Sequence, residues 1–215
     1  MIVHKHKIIF IHIPKTAGSS IEKFFGINKI SHKWDRSNRL YLKGWDPEHK
    51  LHLQHAKASD LLSKKLIVED VWNEYFKFAF VRNPWDRAYS DYLWMQGDRK
   101  VEGSFEDYIL KKGVFEKHLT NLDSKHTRGD HVMPQYEFIY DDKGNCLVDF
   151  VGKFENLEAD FKKACSIAGI EYSALPHEKK SLVTKRDYHD FYDQKKRDLV
   201  ADVYAKDIEL LNYQF

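Results

Sequence analysis

The sequence predicts an α/β protein with a mainly parallel central sheet sandwiched between helices in three layers. Three observations carry that expectation. First, Ile8 to Ile13 and Phe76 to Val81, which runs into Arg82, are apolar on both alternating faces apart from one polar residue each, His12 and Lys77, as strands covered on both sides must be. Second, each run ends in a short polar loop followed by apolar residues at helical spacing, so strands and helices interleave. Third, the 215 residues contain no internal repeat and no low-complexity linker, which suits a single domain over residues 1–215.

Composition narrows the class further. Apolar residues make up 42% and aromatics 14% of the chain, enough to build a core and against intrinsic disorder. The 35 basic and 33 acidic residues leave a net charge of +2, so nucleic acid is not an expected partner and any anion must be held by local placement. The longest apolar run is too short to span a bilayer, and the start of the chain has no cleavable secretory pattern. A soluble, cytoplasmic protein is the expectation. Cys146 and Cys165 form no C-x-x-C pair and are expected as free thiols packed like small apolar groups. Among the 12 histidines no H-E-x-x-H spacing occurs, so no metal site is expected; His4 and His6 are read as solvated on one face of a strand.

The first strand runs into Pro14-Lys15-Thr16-Ala17-Gly18-Ser19-Ser20, after which Ile21, Phe24 and Phe25 fall on one helical face and Gly26 sits where a C-terminal cap belongs. Such a loop gathers backbone N–H groups, serine hydroxyls and a lysine at a helix start, a setting made for a phosphate-like anion. It is not a Walker A loop, because Lys15 precedes the loop's glycine. The second strand runs into Asn83-Pro84, an N-cap and a first helical residue, which puts Arg82 at the carboxyl edge of the sheet and Ser90 two turns along the helix. An arginine's planar fork matches phosphate oxygens. Between the two lies Leu51 to Leu62, strand-like up to His55 and helical afterwards. His55 has the ordinary basicity of a general base, with His52 as second candidate.

Together these two motifs resemble the 5′-phosphosulfate loop and the 3′-phosphate motif of sulfotransferases, and the Ile11 to Ile21 stretch looks like the carbohydrate-directed, Golgi-type branch that includes heparan and chondroitin-like enzymes. The resemblance implies a P-loop-like three-layer fold and transfer of a sulfonate from 3′-phosphoadenosine 5′-phosphosulfate (PAPS) to a hydroxyl, most naturally on a carbohydrate, leaving 3′-phosphoadenosine 5′-phosphate. It implies donor contacts from Pro14, Lys15, Thr16, Ala17, Gly18, Ser19, Ser20, Arg82 and Ser90, catalysis by Lys15 and His55, and no required metal. A basic loop near Lys185 and Arg186 resembles one that closes over the nucleotide in relatives. Gln135, after His131-Val132-Met133-Pro134, stands as a substrate contact or a structural hydrogen-bonder. Two rival readings are a Mg-dependent nucleotide phosphotransferase and a non-catalytic 3′-phosphonucleotide-binding protein.

The remaining segments are expected to frame this site. Asn28 to Pro47 reads as a long irregular loop. Ser104 with Asp107 caps a helix ending at Gly113. Tyr136 to Tyr140 and Cys146 to Val151 read as strands joined by the turn Asp141 to Asn145. Val151-Gly152-Lys153-Phe154-Glu155-Asn156-Leu157 leads into a helix whose stripe is Leu157, Phe161, Ala164, Cys165 and Ala168 and which Gly169 ends. A last helix spans Asp193 to Leu211.

Overall fold

The computed structural model describes residues 1–30, 37–121, 124–176 and 187–215. Its strands are β1 (Ile2–Val3), β2 (Ile8–Ile11), β3 (Trp45–Asp46), β4 (Leu51–His52), β5 (Phe76–Val81) and β6 (Phe150–Lys153). Four of them form one sheet in the order β1-β2-β5-β6. Both β2–β5 and β5–β6 pair in parallel, with Phe10 opposite Phe78 and Phe78 opposite Phe150, while β1 closes one edge antiparallel. The protein is therefore α/β with a mostly parallel sheet, as its alternation of strands and helices predicts. β3 and β4 pair separately as a small antiparallel ribbon.

Alternation along the strands divides the core. Ile9, Ile11, Ala79 and Val81 pack with Ala58, Leu61, Trp72, Phe138 and Ile139 on one side of the sheet. Ile8, Phe10, Phe78 and Phe80 pack with Ile21, Phe161 and Ala164 on the other. Both faces are covered, which is why the strands carry no polar face. Gly152 in β6 lies under Phe80, where a Cβ would come within 2.5 Å of the ring. A third cluster, with no strand in it, gathers aromatic residues such as Tyr92, Phe105, Tyr108 and Phe115 around the helix Pro84–Gly97.

Several elements differ from expectation for visible reasons. The first strand stops at Ile11, two residues short of Ile13, and the turn that follows begins at Pro14. Tyr136 to Tyr140 is a helical turn, Tyr136–Ile139, since the buried Asp207 carboxylate accepts from the N–H groups of Gln135 and Tyr136, each at 2.8 Å, and so fixes a helix start. Of that hairpin only the turn and one bridge, Tyr140 to Cys146, remain. The strand after it begins at Phe150. The helix capped by Ser104 ends at Ile109, short of Gly113. The last helix breaks at Tyr204 into Gln194–Val203 and Ala205–Leu210, where the buried Tyr204 hydroxyl donates to the Val132 carbonyl at 3.1 Å. His4 to His6 form a 3₁₀ turn, and His4 is tied to the Tyr75 hydroxyl and the Leu40 carbonyl. Cys165 is buried, its thiol pushed up to about 11 by desolvation, but Cys146 is exposed. Among the described residues no helix is long and apolar enough to cross a membrane.

Candidate active site

The first phosphate-loop candidate is held in an unusual backbone shape. Lys15 and Ala17 both have positive φ, 71° and 70°, and the buried Thr16 hydroxyl donates to the Ile13 carbonyl at 2.8 Å, tying the bend shut. Helix α1 (Gly18–Phe24) starts directly after it. Gly18 is required by contact with His12: a Cβ there would lie 1.8 Å from Nε2 of that ring. The loop is also gripped from the second motif. Arg82 Nη1 donates to the Lys15 carbonyl at 2.9 Å, and the buried Arg87 donates through Nε to the Pro14 carbonyl at 3.1 Å.

Because β2 and β5 are parallel neighbours, their carboxyl ends deliver both motifs to one edge of the sheet, where ligands of open α/β sheets bind. Asn83 caps the Pro84–Gly97 helix through its side chain, accepting from Trp85 N at 3.0 Å. The Arg82 guanidinium is oriented by Asp86, 2.7 Å from Nε, and lies over the Phe154 ring at 4.1 Å. Ser90 follows on the same helix, half-buried. Pro14, Lys15, residues 17–20, Arg82 and Ser90 all line one cleft of about 1000 Å³. Thr16 lies beneath the loop, outside that lining.

Histidines form the facing wall. β4 ends in a 3₁₀ turn, Leu53–His55, which carries His55 against His12 with ring centroids 4.5 Å apart. His55 Nδ1 sits 2.9 Å from the His12 carbonyl. A carbonyl only accepts, so Nδ1 bears the proton and the neutral ring keeps its lone pair on Nε2. Burial, then the neighbouring imidazoles of His12 and His131, push His55 well below the ordinary histidine range. His52 differs: its Nε2 accepts from Arg128 at 3.0 Å, and burial pushes it down to about 4. His131 donates from Nδ1 to Asp91 at 2.6 Å and stacks on Trp94 at 4.6 Å. Burial disfavours the Asp91 anion, but His131 and Lys15 outweigh it and hold that carboxyl at about 2. Beneath His12, burial likewise opposes the Glu22 anion, yet His12 and the buried Lys43, 3.0 Å away, bring it to about 2.

The comparisons decide the family. The model of the sulfotransferase family matches residues 1–214. The chain belongs to the sulfotransferase family. An uncharacterized protein of Archaeoglobus fulgidus is 29% identical over 103 residues, which cover 46% of this chain and 72% of that protein.

Within this sulfotransferase-family chain, one sequence expectation falls elsewhere. Gln135 is fully buried, accepting from Arg82 N at 2.9 Å and donating to the Arg82 carbonyl at 2.8 Å; it clamps the end of β5 and does not line the cleft. Lys185 and Arg186 lie outside the described residues. Sequence reasoning missed Arg87, Asp91, Arg128 and Asp130, which lie along the loop or the histidine wall. Arg87 shares a helix with Ser90, and its three carbonyl contacts, to Pro14, Met133 and His131, join both walls. Its spacing carried no such signal, since those carbonyls come from distant segments.

Proposed function

We propose that this protein transfers a sulfonate from PAPS to a hydroxyl acceptor, a carbohydrate by preference, within the three-layer, P-loop-like architecture its motifs imply. One observation carries the reading: the loop around Lys15, the Arg82–Ser90 pair and His55 line one cleft.

The residues divide by chemistry. Arg82 spends Nε and Nη1 on Asp86 and Lys15, which leaves Nη2 to meet the donor's 3′-phosphate beside the Ser90 hydroxyl. Lys15, Ser19, Ser20 and loop N–H groups face the 5′-phosphosulfate. In transfer, the acceptor oxygen bonds to sulfur as the bond from sulfur to the 5′-phosphate oxygen breaks, and the acceptor proton passes to His55 Nε2. Lys15 stabilises the charge that develops on the departing phosphate. His55 takes this role over His52 because the corresponding nitrogen of His52 is already used by Arg128. This scheme asks for no metal.

The test is sulfonate transfer from labelled PAPS to a panel of mono- and oligosaccharides, with tyrosine peptides and small phenols alongside. Label on a saccharide hydroxyl supports the full reading; label on peptide or phenol alone corrects the acceptor. Phosphoryl transfer from Mg-ATP with no sulfonate transfer overturns it.

A further inference from the structure

Beside the proposed base lie an imidazole and a carboxylate that the transfer reaction does not use. His55, Asp130 and His131 each offer one ligating atom within 4.8 Å of the others. His55 Nδ1 is turned to the His12 carbonyl and His131 Nδ1 to the Asp91 carboxylate, so each ring has Nε2 left to give. Both Asp130 oxygens are buried, and among the described residues neither has a hydrogen-bond partner; Oδ2 stands 4.0 Å from His55 Nε2. A buried carboxylate in that state calls for a cation.

We propose that His55, His131 and Asp130 form a binding site for a divalent first-row transition ion, with Zn²⁺ as its reference occupant. Two imidazoles and one carboxylate favour such an ion over Mg²⁺ or Ca²⁺, which prefer oxygen donors. The outer contacts have the form metal sites use: a carboxylate behind one ligating histidine, a backbone carbonyl behind the other. Ligand bonds of about 2.1 Å put tetrahedral donors about 3.4 Å apart, so the three heads draw together by about an ångström on binding. The other His/carboxylate group, Asp46, Glu48 and His49, is a weaker candidate. Asp46 there already accepts from Arg39, His49 and the Glu48 N–H.

One consequence rests on the sulfonate-transfer reading. An ion on His55 Nε2 occupies the lone pair that accepts the acceptor's proton, so Zn²⁺ stops turnover and a chelator restores it.

The experiment titrates the chelator-treated 215-residue chain with Zn²⁺ by calorimetry and with Co²⁺ by visible absorption, for wild type, Asp130→Asn, His131→Gln, Asp91→Asn and His49→Gln. Wild type takes up one equivalent with a Co²⁺ ligand-field band. Asp130→Asn and His131→Gln weaken uptake by about tenfold or more, Asp91→Asn by about 10–100-fold, and His49→Gln leaves it unchanged. If Asp130→Asn fails to fold, His131→Gln carries the same reading. No uptake, or uptake that survives both ligand variants, overturns the site. Zn²⁺ uptake by a chain that transfers no sulfonate even when metal-free leaves the site standing and sinks the function. Uptake without inhibition of an active enzyme overturns the assignment of His55 as ligand.

Discussion

The wall of the cleft that carries Lys15, Arg82 and Ser90 is built from two contiguous segments, each a strand end running into a helix start. The facing wall is gathered from His12, His52, His55 and His131, which come from three separate segments and are held by backbone carbonyls, buried carboxylates and Arg128. The first wall is electrostatically simple, positive groups around a backbone cradle. The second is a crowd of imidazoles whose individual roles are set by what holds each Nδ1 and what meets each Nε2. In the proposed reaction donor binding and proton transfer are therefore separable, and variants on the two walls are expected to have different signatures.

The largest effect is expected at His55. His55→Gln lowers kcat by about 10²–10⁴-fold while leaving affinity for 3′-phosphoadenosine 5′-phosphate unchanged, read by steady-state kinetics beside calorimetry. A fall in nucleotide affinity of similar size would erase the division between the walls.

Gly18→Ala crosses that division, because its new methyl meets the His12 ring. Overpacking of this kind costs about 1–3 kcal/mol, visible as a lower midpoint in urea unfolding, and it weakens donor binding as the loop shifts. An unchanged midpoint would mean that the His12 ring moves freely.

His52→Gln sharpens the comparison from within the histidine wall. Since Arg128 already occupies its Nε2, the variant loses less than about tenfold in kcat, far below the expected loss at His55. A loss as large as that at His55 would exchange their roles.

The smallest effect is in pH dependence. His52, pushed down to about 4, and His55, also lowered, take up protons more readily unfolded than folded. The unfolded state thus binds more protons below about 6.5, and stability falls as pH drops from 6.5 toward 4. Asp91 and Glu22, both held at about 2, extend the loss below pH 4.5. The acid limb of kcat/KM lies below 6.5 for the same reason. Thermal unfolding across pH 4–7 checks the first statement, and a limb at or above 6.5 would contradict the second.

The same contrast governs how much the sequence disclosed. The wall that carries Lys15, Arg82 and Ser90 was legible because its signals are local: Pro14 to Ser20 follows two residues after β2, and Asn83-Pro84 announces the helix that carries Ser90. The mostly parallel sheet followed from strands with no polar face. The Tyr136–Ile139 turn was not legible, since its helical start depends on Asp207, far along the chain. His55 was singled out by its place between strand and helix, yet what separates it from His52 is the Arg128 contact and the His12 carbonyl. Asp130 carried no motif at all.

The central claim is that Arg82 and the Lys15 loop form a site for a 3′-phosphorylated adenine nucleotide. Calorimetric binding of 3′-phosphoadenosine 5′-phosphate, AMP and ATP, with and without Mg²⁺, to wild type and Arg82→Lys tests it most directly. The account predicts metal-independent binding that needs the 3′-phosphate and weakens by about 10–100-fold in Arg82→Lys, as loss of a charge-assisted hydrogen bond would cause. Equal affinity for AMP, or preference for Mg-ATP, would contradict it.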